Sequence, residues 1–549
     1  MPSVSAHVAL TLAQHIDAVF GVMGNGNAYF LDAIETQTDA VFTAVRHEQG
    51  AVVAADAHFR TSGRIAAGTS TYGAGFTNTL TALAEAVQAR VPLVLVVGDE
   101  PTSGPRPWDV DQIALASAVG ARTYTVGRAD AAATTVIAIE HALTYRVPVV
   151  LAIPYDVAAL EAGEVPAAPS PRIPAPLAPR GEFADAMLDE IATALAGAER
   201  PFLLAGRGAW LSGASTALGE LAAATGALTA SSALGRGVFP DTRYDLGVTG
   251  GFGADGAMEL VRSADVAVVF GAGLNQFTTR FGDLFAPGTR VFQIDIAAAA
   301  THAHVGGFVR ADARLAAEEL VARIGDAGSA HSWRESVDVA AARAYDRGDD
   351  LAPDGRLDPR SAARRIAELL PEDRVVVSDG GHFIGWANMY WPVAAPDRMM
   401  MVGTAFQSIG LGWPSVVGAA LARRESTVVL TTGDGGGLMA IADLESAVRA
   451  AGGRGMAVVW NDAAYGAEVN LYGLKGLAEG PMRIPEVDFA AFGAAVGAEG
   501  VVVRTLSDLD RLASWVEEDP SSRPFLLLDL RVSGDVIAPY QQEIIRVNS

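Results

Sequence analysis

The 549-residue sequence contains no cysteine. This absence excludes disulfide bonds, thiolate catalysis, iron–sulfur clusters and cysteine-based zinc sites. Positive charge is also scarce, because 40 Lys and Arg residues stand against 63 Asp and Glu residues and give a formal net charge of −23. Most of such a surface repels phosphate backbones, so we do not expect nucleic acid as a partner.

Long hydrophobic runs are missing as well. The apolar stretches are short and interrupted, so none reaches the roughly 20 residues that a membrane-spanning helix needs. Residues 1–18 lack a basic segment followed by an apolar core, which is the pattern of a signal peptide. These absences predict a cytoplasmic protein without a membrane partner. Since 50% of the residues are hydrophobic, the composition is that of a folded chain with several cores.

Short β-branched apolar runs recur along the chain, and stretches with helical periodicity, such as 77–90 and 441–451, lie between them. Such runs are typical of strands that are buried on both faces. Their alternation with helices predicts an α/β fold with doubly wound parallel sheets. We predict strands at Leu93–Val97, Val147–Ile153, Phe202–Leu204, Val266–Phe270, Val291–Ile294, Val375–Val377, Val428–Leu430, Met456–Trp460 and Phe525–Leu528.

Two stretches divide these elements into three blocks. Residues 160–180 contain six prolines, too many for a continuous helix or a central strand. Residues 325–357 are polar and charged. We therefore predict three doubly wound parallel-sheet domains, at 1–165, 181–326 and 355–549.

A glycine-rich segment at 433–437 reads Gly-Asp-Gly-Gly-Gly and directly follows a predicted strand. Asn461 ends the next predicted strand, 27 positions after Asp434. Both side chains are expected at the carboxyl ends of parallel strands, where open α/β sheets bind ligands. A carboxylate, an amide oxygen and the backbone carbonyl of Ala463 would suit Mg²⁺, and the glycines would let N–H groups approach a diphosphate. The alternative is a simple tight turn, in which Gly and Asp are common.

In the first block, Glu48 lies within Arg-His-Glu-Gln, just before an Ala-rich helical stretch. Considered alone, it fits an ordinary first-turn acid that the helix dipole stabilises. Its sequence neighbours favour a second interpretation. In this order, the segments resemble those of thiamine-diphosphate (ThDP)-dependent enzymes of the acetolactate synthase / benzoylformate decarboxylase (pyruvate oxidase-like) family. The segments that carry the resemblance are Val19–Gly24, Val45–Ala51, Thr71–Asn78, Gln407–Pro414 and Thr431–Gly437.

The resemblance covers nearly the whole chain and implies a pyrimidine-binding domain, a Rossmann-like middle domain and a diphosphate-binding domain. It implies that Glu48 is catalytic and contacts N1′ of the aminopyrimidine, that Ile409 bends the coenzyme, and that His382 contacts a phosphate. Considered alone, Ile409 also fits a plain core residue and His382 a surface histidine. It makes Asp434, Asn461 and Ala463 the metal ligands. The implied coenzyme-binding residues are Glu48, Asn78, Gly381, His382, Gln407, Ile409, Gly433, Asp434, Gly435, Gly436, Asn461, Ala463, Tyr465 and Gly466.

Some positions depart from the family pattern. The family often has Asn-Asn where this chain has Asn461-Asp462, and Thr-Ser-Gly where this chain has Thr-Tyr-Gly. We predict Tyr72, Asn25 and Asn27 as substrate contacts. For the two asparagines, a plain Asn/Gly turn is an equal alternative.

The resemblance implies an enzyme that depends on ThDP and Mg²⁺ and makes or breaks a C–C bond of a 2-keto acid or diketone. Acetolactate synthase-like carboligation through an enamine intermediate is the first interpretation. The alternatives are a simple 2-keto acid decarboxylase and a non-catalytic nucleotide-binding relic of the fold. A homodimer or homotetramer with active sites between subunits is implied. Whether the middle domain binds FAD, ADP or neither stays open, because a loose Gly-x-Gly is weak evidence for a nucleotide.

Overall fold

The computed structural model describes residues 1–167, 169–325 and 333–548. It contains three six-stranded sheets, and helices connect their strands. The α/β class with three parallel sheets is therefore confirmed. The predicted domain ends at 326 and 549 lie outside the described residues. Within the described ranges, no helix is long and apolar enough to cross a membrane.

The first sheet has the strand order β2-β1-β3-β4-β6-β5, and all its pairs are parallel. Its central strands β4 and β6 are buried along their whole length, as expected for strands that helices cover on both faces. The strands are β1 (Ala18–Gly21), β2 (Val41–Ala44), β3 (Ala67–Ser70), β4 (Leu93–Asp99), β5 (Arg122–Thr125) and β6 (Pro148–Pro154). The helices are Val4–Leu12, Ala28–Gln37, Glu48–Ser62, Ala74–Thr77, Leu80–Gln88, Gln112–Ala118 and Ala131–Tyr145.

The second sheet has the order β12-β11-β10-β7-β8-β9, again with parallel pairs. Its strands are β7 (Pro201–Ala205), β8 (Leu228–Ser231), β9 (Asp245–Val248), β10 (Val266–Phe270), β11 (Arg290–Asp295) and β12 (Val305–Arg310). Its α-helices are Glu182–Ala196, Arg207–Leu211, Ser215–Thr225, Asp255–Ser263 and Ala313–Ile324. The described part of the second predicted linker contains two short helices, Arg334–Ser336 and Val339–Ala342.

The third sheet has the order β14-β13-β15-β16-β18-β17, with parallel pairs throughout. Its strands are β13 (Arg374–Ser378), β14 (Met399–Met401), β15 (Thr427–Gly433), β16 (Gly455–Asn461), β17 (Glu499–Val503) and β18 (Leu526–Arg531). Its α-helices are Pro359–Leu369, Ile384–Tyr390, Gly412–Ala422, Asp434–Met439, Leu444–Ala451, Gly466–Glu468, Phe489–Ala495, Asp510–Glu517 and Pro539–Asn548.

The helix predicted at 77–90 is broken into two pieces. One helix ends at Thr77, and the next begins at Leu80. Between them, the Thr79 hydroxyl donates to the carbonyl of Phe76 at 2.7 Å. A threonine hydroxyl that binds nearby backbone competes with helical bonding, which explains the break.

The first and third domains share one hydrophobic core, in which helix Glu48–Ser62 packs against helix Gly412–Ala422. The crossing is close at Gly418, because a Cβ added there would lie 2.0 Å from the carbonyl oxygen of Ala54. Glycine is therefore required at this position for the two helix backbones to meet. The contact fixes helix Glu48–Ser62, and with it Glu48, relative to the third domain.

A buried ion cluster strengthens the same contact. Arg60 pairs with Asp56 and with Glu85, and all three side chains are buried. Arg60 also donates to the carbonyl of Met401 at 3.0 Å, and Glu85 accepts from the backbone N–H of Phe406 at 2.7 Å. Since each charge has a partner, the cluster avoids the cost of an unpaired buried ion. It holds the start of the 406–411 loop against the first domain.

Candidate functional site

Asp434 lies at the carboxyl end of β15, where it begins helix Asp434–Met439. Its Oδ1 accepts from the backbone N–H of Gly435 at 2.9 Å, whereas its Oδ2 is buried without a hydrogen-bond partner. Burial raises the pKa of this carboxyl group, and the nearby charge of Asp462 raises it further. A buried carboxylate oxygen without a partner is costly, so this atom fits a cation ligand.

Asn461 ends the neighbouring strand β16, and the preceding pair Gly433–Trp460 is in register across the two strands. The Asn461 amide nitrogen donates to the carbonyl of Val487 and to Oδ1 of Asp529, both at 2.9 Å. Because these bonds use both N–H groups, the orientation of the amide is fixed and its Oδ1 faces elsewhere. That Oδ1 is also buried without a partner. Two unpartnered oxygen atoms thus lie at adjacent strand ends.

Asp529, which sequence reasoning missed, orients Asn461. Its other carboxylate oxygen accepts from the Phe489 N–H at 3.0 Å and from Arg531 at 2.8 Å. Burial raises the pKa of Asp529, and the bond from Asn461 opposes that rise. Partners of this kind fix the orientation of ligands around metal sites. An Asp within an apolar strand core is the signal that could have identified it.

Ala463 has a left-handed backbone with φ of +58°. Its carbonyl oxygen accepts from the Ile484 N–H at 2.9 Å. A carbonyl has two lone pairs, so this bond leaves one for a metal. Asp462 lies beside it, and burial raises the pKa of its carboxyl group. Among the described residues, no group of three or more His, Asp or Glu side chains could hold a metal, so a cation here would depend on mixed oxygen ligands.

The glycines of the motif lie where a side chain has no room. A Cβ added to Gly435 would lie 2.7 Å from the Tyr465 ring, and one added to Gly436 would lie 2.9 Å from the Asp379 carboxylate. A Cβ added to Gly433 would lie 2.8 Å from a ring atom of Phe383. Glycine at these positions lets Tyr465, Asp379 and Phe383 pack directly against the start of helix Asp434–Met439. The start of a helix favours an anionic group.

His382 lies in the loop after β13 and is buried. Its Nε2 accepts from the Ala538 N–H at 3.1 Å, which leaves the ring proton on Nδ1. Burial lowers the pKa of His382 to about 4, so the ring is a neutral donor at pH 7. The Tyr540 hydroxyl is 3.1 Å from the Gly381 carbonyl and 2.9 Å from the His382 carbonyl, so it can donate to either and holds this loop. Gly466 packs against His382, because a Cβ there would lie 3.3 Å from Nδ1.

Asp379 holds the loop of Ile409, the residue for which the resemblance implies a role in bending the coenzyme. Its carboxylate accepts from the N–H groups of Gly410 at 3.0 Å and Leu411 at 3.3 Å. Ile409 is half-buried, and its Cγ2 lies 3.1 Å from a Cβ position added to Gly380. Gln407 is exposed and has a left-handed φ of +62°, a strained conformation for a residue other than glycine.

Glu48 is half-buried at the first position of its helix. One carboxylate oxygen accepts from the Asn78 side chain at 2.9 Å, and the other lies 3.4 Å from a Cβ position added to Gly75. The structure thus brings Glu48 and Asn78 together. Among the described residues, no hydrogen bond joins Glu48 to Asp434.

The predicted substrate residues lie at the same edge of the first sheet. The Asn25 amide donates to the Tyr72 hydroxyl at 2.8 Å. Asn27 is buried, and its amide donates to Val22 and Thr69 while its oxygen accepts from Gly24. Since Asn27 makes these bonds inside its own loop, we retain only Asn25 and Tyr72 as proposed substrate contacts.

A cation–aromatic cluster beside Tyr72 was also missed by sequence reasoning. The Arg106 guanidinium carbon lies 4.0 Å from the ring centre of Tyr72 and 4.7 Å from that of Tyr155. Asp109 holds Arg106 through two bonds of 2.9 and 2.8 Å. Pro-Arg-Pro-Trp after a buried strand is the only sequence signal for this cluster. The bonds and the stacking keep the Tyr72 ring in place.

In the middle domain, the two glycine loops at the carboxyl edge contact each other directly. The Gly208 N–H donates to the Gly271 carbonyl at 2.9 Å, and a Cβ added to Gly206 would lie 2.5 Å from that oxygen. These loops follow β7 and β10, the neighbours at which the strand order reverses. Doubly wound sheets bind nucleotides at such a point.

Three sequence-family models match the chain in the order of the three sheets. They are the thiamine pyrophosphate enzyme N-terminal TPP binding domain at residues 2–115, its central domain at 188–320 and its C-terminal TPP binding domain at 379–527. Three α/β domains, of which the first and the third match TPP binding domains, define an enzyme that uses a thiamine coenzyme. The chain belongs to the thiamine pyrophosphate enzyme family, and ThDP, the same compound, is its coenzyme.

Relatives match over most of their length. The Escherichia coli acetolactate synthase isozyme 3 large subunit is 26% identical, over 95% of this chain and 93% of its own. The Castellaniella defragrans sulfoacetaldehyde acetyltransferase is also 26% identical, over 98% and 94%. The solved structure of the Rhodococcus jostii RHA1 ThDP-dependent 4-hydroxybenzoylformate decarboxylase covers 97% of this chain and 99% of its own, with a TM-score of 0.80 at 22% identity, and thus shows the fold.

Proposed function

We propose that this protein uses ThDP and Mg²⁺ to join an acyl fragment from a 2-keto acid or diketone to a second carbonyl compound. The observation that carries the proposal is the pair of buried, unpartnered oxygen atoms on Asp434 and Asn461. Their chemistry fits Mg²⁺, which prefers oxygen ligands and bridges protein carboxylates to phosphates. The acetolactate synthases among the relatives support carboligation as the first reaction to test.

ThDP, when bound, supplies an acidic ring carbon and an electron sink for the carbanion that C–C cleavage leaves. Asp434, Asn461 and the Ala463 carbonyl would hold Mg²⁺, and neutral His382 would donate a hydrogen bond to a phosphate oxygen. Glu48 would hold a proton at N1′ of the pyrimidine, which is its role as general acid–base. Ile409 and the Gln407 carbonyl would orient the pyrimidine ring, and Asn25 and Tyr72 would contact substrate.

We place the complete active site between two subunits of a homodimer, or of a homotetramer built from such dimers. Among the described residues of one chain, no hydrogen bond links Glu48 to Asp434, although each lies at the carboxyl edge of its sheet. Large apolar side chains are exposed around both edges, as is typical of surfaces that bury each other. They are Met23, Trp108, Phe406, Met439 and Leu474.

A middle domain without FAD is supported by the direct contact between its two glycine loops. The purified protein should then lack flavin absorbance, and a yellow preparation would contradict this part of the proposal. We also propose the cytoplasmic location that the sequence predicts.

The proposed reaction is tested with a panel of 2-keto acids and diketones, in the presence of ThDP and Mg²⁺. Carbon dioxide release and the carbon skeletons of the products are measured together. Carboligation yields acyloins or acetohydroxy acids from pyruvate, and its yield rises when a second carbonyl compound is added. If the sole products are aldehydes, the protein is a simple decarboxylase. The absence of turnover on the whole panel, with ThDP bound, would favour the non-catalytic alternative.

A further inference from the structure

The loop that carries Glu48 is held by the third domain of its own chain. The backbone N–H of Arg46 donates to Oδ1 of Asp443 at 2.7 Å. The same oxygen accepts from the Ser446 hydroxyl at 2.8 Å, which fixes the carboxylate. Asp443 is buried, although it lies almost 400 positions further along the chain. A buried carboxylate that accepts a backbone N–H is a strong constraint on that loop.

The carboxylate also lies against the first turn of the helix that Glu48 begins. A Cβ added to Gly50 would lie 2.4 Å from Oδ2 of Asp443. The first turn of a helix has free N–H groups and a partial positive charge, so a carboxylate is stabilised there. Any side chain at position 50 would displace it, which explains why glycine follows Arg-His-Glu-Gln in this chain.

Two flanking contacts tie the same pair of segments. Nε of Arg46 lies 2.8 Å from Oε2 of Glu445, and Arg449 donates to the carbonyl of Ala44 at 2.6 Å. Both of these pairs are partly exposed, so each contributes little by itself. Asp443 is the buried member of the group and sets the position of the loop.

Asp443 belongs to the segment that also carries the metal ligand. Helix Asp434–Met439 is followed after one residue by the turn Ile441–Asp443. A stretch of ten residues therefore begins at Asp434, which would serve one active site. It ends at Asp443, which contacts the loop that precedes Glu48. In a dimer with shared sites, that Glu48 serves the other active site.

We propose that Asp443 is a positioning residue for Glu48 and connects the two active sites of the dimer. The proposal rests on the proposed function, in which each site takes Glu48 from one chain and Asp434 from the other. It adds that the diphosphate-binding segment of one site sets the orientation of the activating carboxylate of its neighbour.

The contact itself is tested without coenzyme, by amide hydrogen exchange at Arg46 in the full-length protein. Asp443→Ala should raise the exchange rate at least tenfold, because the N–H loses its acceptor. Asp443→Asn keeps an acceptor oxygen and should restore most of the protection. The matched control is Asp508→Ala, which removes another carboxylate that accepts backbone N–H groups in the same domain and should leave Arg46 unchanged. Unaltered exchange in Asp443→Ala would overturn the proposal.

Hybrid dimers of differently tagged chains test the connection. In a hybrid of an Asp443→Ala chain with an Asp434→Ala chain, one site keeps an unperturbed Glu48 and all its metal ligands. It should retain about half of the wild-type activity, since one of two equal sites survives. In a hybrid of an Asp443→Ala chain with a Glu48→Gln chain, the surviving site depends on the Glu48 that has lost its support. The activity of this second hybrid should be at least tenfold lower than that of the first. If the first hybrid were instead the less active one, Asp443 would act on the site that contains Asp434 of its own chain.

A third hybrid separates this proposal from the proposed function. Glu48→Gln paired with Asp434→Ala should retain about half of the wild-type activity if the sites are shared between chains. An inactive hybrid would refute shared sites. If Asp443→Ala does not fold, Gly50→Ala displaces the same carboxylate from the other side. It should give the same loss of Arg46 protection and the same order of hybrid activities, and the reverse result would reject the role of Asp443.

Discussion

The carboxyl edges of the first and third sheets carry the two halves of the proposed site, and they are built differently. At the edge of the third sheet, the unpartnered oxygen atoms of Asp434 and Asn461 are buried. These two residues lie at the carboxyl ends of the neighbouring central strands β15 and β16. At the first edge, Glu48 is half-buried and its described side-chain bond goes to Asn78, which is exposed. In the proposed site, the anchoring half would therefore be preformed within one chain, whereas the activating half would be completed by a partner subunit.

The middle sheet makes the comparison sharper. It has the same parallel architecture, yet its glycine loops contact each other, and in the part of this domain that the structure describes no buried carboxylate oxygen lacks a hydrogen-bond partner. The parallel sheet alone therefore does not make a site. In the proposed function, the chemistry comes from a few polar residues at strand ends, which buried acids such as Asp379, Asp529 and Asp443 hold in place.

The largest expected effect separates activation from anchoring. Glu48→Gln should lower kcat by roughly 10²–10⁴-fold, the usual contribution of a general acid–base group. ThDP affinity should change little, because the anchoring half is intact. Steady-state kinetics and a ThDP titration measure the two quantities, with the exposed Glu35→Gln as the control. Normal turnover in Glu48→Gln would remove Glu48 from the site.

A smaller effect is expected from the support of the anchoring half. Asp529→Ala removes one of the two acceptors that fix the Asn461 amide, so the amide oxygen loses its orientation. Mg²⁺ affinity should fall about 10–100-fold, as is typical when such a supporting partner is lost. A Mg²⁺ titration of ThDP binding measures this, and Asp508→Ala serves as the control. Unchanged affinity would show that Asn461 does not depend on Asp529.

The fold was largely predictable, because the buried strands have continuous apolar runs. The strand predicted at Val266–Phe270 has the observed bounds, and Val428–Leu430 lies inside β15. The predicted set did not include β1, β2, β3, β5, β8, β9, β12, β14 and β17. Most of these strands have only three or four residues, which gives too little periodicity to identify a strand.

The site was predictable only where chemistry and local sequence coincide. The motif at 433–437 places Asp434 beside a glycine turn, and the strand end places Asn461 next to it. Asp443 and Arg106 could not be found in this way, because their partners are distant in sequence or lie in irregular loops. Asn27 illustrates the opposite error. It was predicted as a substrate contact, but its side-chain hydrogen bonds go to neighbouring residues of the first domain.

The contact between the first and third domains should be sensitive to a single methyl group. Gly418→Ala places a Cβ 2.0 Å from the Ala54 carbonyl oxygen, so the two helices must separate. Overpacking of this kind costs about 1–3 kcal/mol. Gly273→Ala is the matched control, because nothing lies within 4 Å of its added Cβ. Urea denaturation should show a lower midpoint for Gly418→Ala alone, and equal midpoints would show that the helices can adjust.

The smallest effect concerns pH and the same helix contact. Burial, together with the charge of Arg64, lowers the pKa of His58 to about 4. In the unfolded chain, this histidine is protonated below its ordinary pKa of 6.5, whereas in the folded chain it stays neutral until about pH 4. Stability that is present at neutral pH is therefore lost as the pH falls toward 4. His58→Asn should reduce the loss between pH 7 and pH 5 by about 1–2 kcal/mol, measured by urea denaturation at both values. His382, whose pKa burial also lowers to about 4, keeps part of the dependence in the variant. An unchanged pH dependence would mean that His58 is protonated within the folded protein.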